Sequence, residues 1–219
     1  MRPTMLVNVL SRGLADDPAV TEPGGATLDY AQLCNAADAI GAGLAARGLQ
    51  PGDVVAAAIP GGAAYLAAFA GAAMTRLALA PLVLGDDTEL PDRLTALRAR
   101  MVLAGTAVPQ AVRIAASRPG LALTVLEVDG RGIVRLDGEQ VFDANVRLAE
   151  PDDVVLVGAE GRLTHGAIVA AALAAAPPVP AAVRTTLPLL EPRGLIAALT
   201  VLAAGGHVIV PSEASAVAA

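Results

Sequence analysis

A chain of 219 residues with 55% hydrophobic content carries ample apolar material for a core, which excludes intrinsic disorder. Its formal net charge is −6, its basic side chains are all arginines scattered along the chain, and lysine is absent; DNA, RNA and anionic membranes are therefore disfavoured as partners. A single cysteine, Cys34, excludes an internal disulfide framework.

The N-terminus has one basic residue and an apolar run too short for a signal peptide, so the mature chain is expected to start where this sequence starts. With the lone cysteine, this favours the cytoplasm. A helix is predicted over 30–47, where Leu33, Ala37, Ile40, Leu44 and Ala45 recur at helical spacing while Gln32, Asn35 and Asp38 fall off the stripe. Gly48 follows as its C-terminal cap. Next come a strand at 54–59, a helix at 63–76, a strand at 79–84, a helix at 90–99 and a strand at 100–103. A helix at 110–117 and a strand at 123–128 follow. From about 128 to 150, Asp129-Gly130-Arg131-Gly132 and Asp137-Gly138-Glu139 punctuate short polar strands, which predicts a small hairpin excursion at an edge. The pattern resumes with a strand at 154–157, helices at 166–175 and 195–204, and a strand at 208–210.

Short β-type runs alternating with Ala-rich helices predict an α/β fold, a largely parallel sheet flanked by helices, in a single domain over 1–219. There is no internal repeat or heptad, and the only tail of low complexity is the run of small residues Ala214 to Ala219. The most apolar stretches, 54–74 and 168–183, are broken by Pro60-Gly61-Gly62 and Pro177-Pro178-Val179-Pro180, so neither reads as a membrane span.

Several segments in order resemble a known family. Thr27-Leu28-Asp29-Tyr30-Ala31-Gln32-Leu33 looks like an L-T-Y-x-E-L opening, and Gly48-Leu49-Gln50-Pro51-Gly52-Asp53-Val54-Val55 looks like a G-V-x-P-G-D-x-V entry to a first core strand. Ala70-Gly71-Ala72-Ala73-Met74 and Leu79-Ala80-Pro81-Leu82 are similar to the segment before an A-x-x-x-P-L turn. Pro151-Asp152-Asp153-Val154 looks like a D-D-x-A strand entry, and Leu163-Thr164-His165 an L-T-H. Leu187-Pro188-Leu189-Leu190-Glu191-Pro192-Arg193-Gly194-Leu195 and then Gly205-Gly206-His207-Val208 are similar to L-P-L-F-H-x-x-G-L followed by G-G-x-V. Each is weak alone; their order over nearly the whole chain resembles the N-terminal portion of the adenylate-forming (AMP-binding) acyl-CoA synthetase superfamily. The resemblance implies a layered, Rossmann-like sheet with helices on its faces. It also extends to short actinobacterial proteins related to AMP-binding enzymes, and the lysine-free, Ala/Arg-rich composition suits a GC-rich genome.

The same resemblance makes the departures informative. Active members carry T-S-G-T-T-G-x-P-K-G between the D-D strand and L-T-H, a loop whose amides, hydroxyls and lysine grip ATP phosphates. Here only Gly158-Ala159-Glu160-Gly161-Arg162 stands there, and the Glu160 carboxylate would repel a polyphosphate. The resemblance further implies a C-terminal lid with a catalytic lysine, a Tyr-Gly-x-Thr-Glu segment and a ribose-binding aspartate, none of which these residues supply. Glu191 occupies the place of the family's His in L-P-L-F-H, altering the gate toward the acyl and pantetheine channels. The remnant nucleotide loop and gate, Gly158, Glu160, Gly161, Arg162, Thr164, His165 and Glu191, are the candidate binding residues. No catalytic residue is assigned, and neither ATP/Mg nor CoA is expected to bind tightly.

Arg162 and Arg193 are the only basic residues beside the degenerate motifs, and a guanidinium can bind phosphate bidentately, although solvated loop positions are the default. His165 is expected near a helix start and His207 at a strand start, with no carboxylate or thiol partners at metal-ligand spacing. Cys34 sits in apolar company as a packed thiol. The pairs Asp16-Asp17, Asp86-Asp87 and Asp152-Asp153 stand at element boundaries, where aspartate caps helices or ends turns. No nucleophile elbow or Gly-x-Gly-x-x-Gly appears. Three functions fit: a non-catalytic homologue that binds a partner or small ligand, most simply as a homodimer or with another protein; a divergent acyl-CoA ligase using arginine for lysine; and one half of a split acyl-activating enzyme.

Overall fold

A computed structural model describes residues 5–22, 24, 26–83, 89–141, 149–158 and 161–210. In chain order the elements are α1 (Leu6–Leu10), β1 (Pro18–Thr21), β2 (Thr27–Asp29), α2 (Tyr30–Ala46), β3 (Val54–Ala58), α3 (Ala63–Met74), β4 (Ala78–Pro81), α4 (Leu90–Leu97) and β5 (Ala99–Ala104). They continue as α5 (Gln110–Ala116), β6 (Ala122–Val128), β7 (Val134–Leu136), β8 (Glu139–Gln140), β9 (Val154–Gly158), β10 (Gly161–Thr164), α6 (His165–Ala175), β11 (Ala182–Arg184), α7 (Pro192–Ala203) and β12 (His207–Ile209).

The strands form an 8-stranded sheet in the order β10-β9-β4-β3-β5-β6-β7-β8 and a 4-stranded sheet in the order β11-β12-β1-β2. From β9 to β6 all neighbours run parallel. Strand β10 at one edge and β7 and β8 at the other are antiparallel additions. In the smaller sheet β12 lies parallel to both β11 and β1, and β2 closes it antiparallel. The α/β class and the largely parallel, helix-flanked layers are as expected from sequence.

Every predicted strand and helix is present, with ends that coincide or are displaced by up to three residues. The difference lies in their grouping. Strands β3, β4, β5, β6 and β9 share one sheet, but the last predicted strand, β12, belongs to the other, completed by β1, β2 and β11, which are only three or four residues long. The excursion after β6 is the antiparallel pairing of β6, β7 and β8. Its stretch 142–148, the predicted strand end Leu84, the Asp86-Asp87 pair and the Ala214 to Ala219 tail lie outside the described residues.

Alternation along the parallel strands separates two apolar layers. Val55, Ala57, Met101, Leu103 and Leu126 face the core that contains α1, α2, α3, α6 and α7, while Ala56, Ala58, Val102 and Ala104 face α4 and α5. Helix α3, apolar on all sides, is buried at every position except Ala64. It can sit against α2 because both helices present glycine at the crossing. A Cβ on Gly41 would stand 2.9 Å from the carbonyl oxygen of Gly71, and one on Gly71 would overlap that of Ala37.

Helix α2 starts at a capping box. The N–H of Gln32 donates to Asp29 Oδ1 at 2.7 Å, and the N–H of Asp29 donates to Gln32 Oε1 at 3.0 Å. The predicted stripe Leu33, Ala37, Ile40 and Leu44 is buried, whereas Ala45, assigned to the stripe by spacing, is exposed in the last turn. Gly48 ends the helix at φ +83°, bonding back to the Ala45 carbonyl. The Tyr30 hydroxyl donates to the Gly206 carbonyl at 2.6 Å, tying the opening motif to the Gly205-Gly206 turn.

Candidate functional site

The segment 150–165 is organised around one carboxylate. Arg76 Nε donates to both oxygens of Asp153, at 3.0 and 3.2 Å, its Nη2 donates to Oδ1 at 3.0 Å, and its Nη1 stands 3.2 Å from Glu150 Oε1. The N–H of Glu150 adds a 2.6 Å bond to Asp153 Oδ2. This bidentate pair fixes the turn that launches β9. Sequence reasoning read Asp153 as a turn residue, which it is, but missed Arg76; a lone arginine in the left-handed region at φ 65° after α3 carries no motif that would single it out.

Strand β9 returns directly as β10. Gly161 pairs with Gly158, Arg162 with Val157 and Leu163 with Leu156, so only positions 159 and 160 lie between the paired glycines. The sequence expectation for Glu160 falls outside the described residues. Gly161 has φ +119°, a conformation glycine tolerates. Arg162 is exposed, and its side chain makes no hydrogen bond or ion pair with the described residues. A Cβ on Gly158 would contact Pro192 Cγ at 3.7 Å, so the tip of β9 abuts the start of α7, whose N-cap residue is the exposed Glu191.

Thr164 and His165 turn away from this tip. Thr164 Oγ1 accepts from the N–H of Ala167 at 3.3 Å as the N-cap of α6. The N–H of His165 donates to the Asp153 carbonyl and that of Gly166 to the Pro151 carbonyl, each at 2.8 Å. The opening amides of α6 are thus engaged within the chain and present no vacant anion cradle. The His165 imidazole is 1% exposed, and its Nε2 accepts from the backbone N–H of Leu6 at 2.8 Å. That bond places the ring proton on Nδ1, which has no partner of hydrogen-bonding geometry among the described residues. Burial pushes the His165 pKa below 6.5, with the Asp153 carboxylate and the Ala73 carbonyl opposing the shift.

The candidate residues therefore divide. Gly158 and Glu191 meet through Pro192, Gly161 and Arg162 form an exposed hairpin arm, and Thr164 and His165 are bonded at the start of α6 and to α1. Among the described residues no group of three or more His, Cys, Asp or Glu is placed to hold a metal, and no helix is long and apolar enough to cross a membrane. His207 Nε2 lies 2.8 Å from Thr21 Oγ1, itself 2.7 Å from Thr27 Oγ1, a polar chain across β12, β1 and β2. A cleft of about 470 Å³ lies elsewhere, beyond the carboxyl ends of β3, β5 and β6.

Three solved structures define the fold. The chain is similar to apo MatB from Rhodopseudomonas palustris, with a TM-score of 0.76 and 22% identity over 93% of this chain and 44% of that one. A fatty acyl CoA synthetase of Mycobacterium tuberculosis aligns with a TM-score of 0.72 and 17% identity over 94% of this chain and 44% of that one. The nonribosomal peptide synthetase FmoA3, in its AMPPNP-bound form, aligns with a TM-score of 0.77 and 22% identity over 96% of this chain and 23% of that one. The chain spans less than half the length of each. Comparison with curated proteins by sequence gives no match. The family model described as AMP-binding enzyme matches residues 10–219, nearly all of the sequence, and with the shared fold this makes the chain a member of the AMP-binding enzyme family.

Proposed function

We propose that this chain is a non-catalytic member of its family, a binding or assembly module that does not form acyl adenylates by itself. The observation that carries the reading is the β9–β10 hairpin. Where the family's phosphate loop is expected, Gly158 and Gly161 are paired strand residues with two positions between them. A nucleotide triphosphate needs several free amides and a cation converging on one point. Here the pairing engages the strand backbone, α6 begins with its amides bonded, and these 219 residues contain no lysine. ATP, Mg²⁺ and CoA accordingly do not bind tightly. The half-buried, unpaired Cys34 supports a reducing compartment such as the cytoplasm.

An assembly role draws support from β11. All three of its residues, Val183 among them, are exposed at the edge of the smaller sheet, and the exposed side chains of Val179 and Leu187 flank it. Open apolar edges of this kind are normally covered by another chain, and a second copy is the simplest cover. Light scattering at micromolar concentration tests this: a dimer is expected, and a monodisperse monomer removes the assembly part.

The test of the central reading is pyrophosphate exchange with a panel of carboxylic acids, alongside thermal shift with ATP·Mg²⁺ and CoA. No exchange and no shift are expected; exchange above background overturns it. One observation favours a second reading, a divergent acyl-CoA ligase. Arg162 is exposed on the hairpin without an ion pair among the described residues and could meet a phosphate. In that case exchange occurs and Arg162→Ala abolishes it.

A further inference from the structure

The order β9-β4-β3-β5-β6 contains a reversal. From β3 the chain passes through α3 to β4 on one side, then through α4 to β5 on the other, and through α5 onward to β6. Helix α3 covers one face of the sheet and α4 and α5 the other. The loops leaving β3 and β5 therefore diverge to opposite faces and leave a crevice between their strand ends, the place where open α/β sheets take ligands. The 470 Å³ cleft occupies this crevice, lined by Ile59 to Gly62 after β3, by Gly105 and Thr106 after β5, and by Leu126 and Val128 of β6. Its volume falls in the range of small-molecule sites.

The charge in the cleft selects among ligands. No basic side chain is among its lining residues, which include the carboxylates Glu22 and Glu127. Glu127 is paired with Arg135 at 3.6 Å. Glu22 Oε1 accepts from the N–H of Ala63 at 2.9 Å, at the N-terminus of the 12-residue α3, and its other oxygen has no partner among the described residues. A Cβ on Gly62 would stand 2.6 Å from Glu22 Oε1, so glycine there admits the carboxylate. The helix terminus that would otherwise attract an anionic ligand is filled from within the chain, and a phosphate or carboxylate arriving there meets a like charge. The floor, with Ile59, Pro60, Ala64, Leu126 and Val128, is apolar.

We propose that this cleft binds a small amphiphilic amine, its cationic head on the free oxygen of Glu22 and its apolar body on the floor formed by Ile59, Leu126 and Val128. The exposed hydroxyl of Thr106 stands at the rim as a further acceptor. The proposal stands whether or not the chain forms adenylates, because the cleft is built from other residues than the β9–β10 hairpin.

The experiment titrates the full chain with 2-phenylethylamine, with 3-phenylpropionate as the charge-reversed analogue and ATP·Mg²⁺ as the nucleotide arm, followed by amide chemical shifts. Saturable shifts at Gly61, Gly62, Gly105 and Thr106 are expected with the amine only, with a Kd on the order of 1 mM or tighter. Glu22→Gln keeps an acceptor for the Ala63 N–H, so the fold is retained, and it weakens the amine by about fivefold or more. Ala107→Trp, on the exposed rim, blocks the cleft and abolishes the shifts without touching the core. Absence of saturable shifts, equal binding of 3-phenylpropionate, ATP-induced shifts at these amides, or unchanged amine affinity in Glu22→Gln each overturns the proposal.

Discussion

The backbone N–H of Leu6 donates to Nε2 of His165 at 2.8 Å across 159 positions of sequence, clasping α1 to the start of α6. The only acceptor lone pair of the neutral ring is used in this bond, so a proton on Nε2 turns acceptor into donor and opposes the clasp.

That gives a pH dependence with a defined sign. The folded-state pKa of His165 lies below the ordinary 6.5 because of burial, with the carboxylate of Asp153, itself held by Arg76 and beside Glu150, opposing the shift. Below 6.5 the unfolded chain binds the proton more readily than the folded one. Stability from this group is therefore complete above pH 6.5 and declines as pH falls from there through the folded pKa. Urea unfolding at pH 7.5 and pH 5 should show a loss of stability that His165→Gln largely abolishes. An identical pH response in the variant removes His165 as the cause.

How far all this could be read in the sequence depends on the range of the forces involved. Helix α2 was legible because its determinants are local, a 3.6-residue apolar stripe and Gly48 at the end, although the equally local Asp29 and Gln32 cap went unread. The smaller sheet was not, because β1, β2, β11 and β12 are three or four residues long and their pairing, such as Val20 with Val208, joins segments far apart in sequence. At the candidate site, Gly158 to His165 was recognisable as a contiguous segment. Its use was not, because the partner of His165 is a backbone N–H of α1, a five-residue helix with no periodic signal. The cleft at β3 and β5 depends on strand order, which no local pattern encodes.

At the helix crossing, Gly71→Ala should destabilise by about 1–3 kcal/mol, because the new methyl meets the rigid Ala37 carbonyl and not a side chain that can rotate away. Gly130→Ala is the matched control, with open space around the added methyl and an expected change within about 0.5 kcal/mol. Chemical denaturation of both compares them directly; equal effects refute the close crossing.

Tyr30→Phe removes the hydroxyl that donates to Gly206 at 2.6 Å and leaves that carbonyl buried without this donor. The expected cost is about 1–2 kcal/mol, read as a lower urea midpoint at unchanged slope. An unchanged midpoint contradicts the role of this bond in joining the opening motif to the Gly205-Gly206 turn.

Cys34 should be a slow thiol. Burial, with the Asp38 carboxylate adding to it, pushes its pKa up, and its Sγ lies 3.7 Å from the Leu10 carbonyl. Reaction with Ellman's reagent at pH 7.5 is expected to be about tenfold or more slower than for free cysteine and to accelerate to the free rate in urea. Equal rates in the folded protein contradict the packed environment.

The pairing of β1 with β12 carries a consequence for how the protein is made. Thr21 reaches His207 across 186 positions, so β1 leaves the ribosome well before the strand it pairs with and waits for it before its sheet can close. At ~5–20 residues per second that interval is on the order of ten seconds or more, during which the β1–β2 hairpin has an unsatisfied edge while the parallel core from β3 to β6 can already assemble. Synthesis therefore separates the two sheets in time, and closure of the smaller one is the late step that a newborn chain must reach before it aggregates or is degraded.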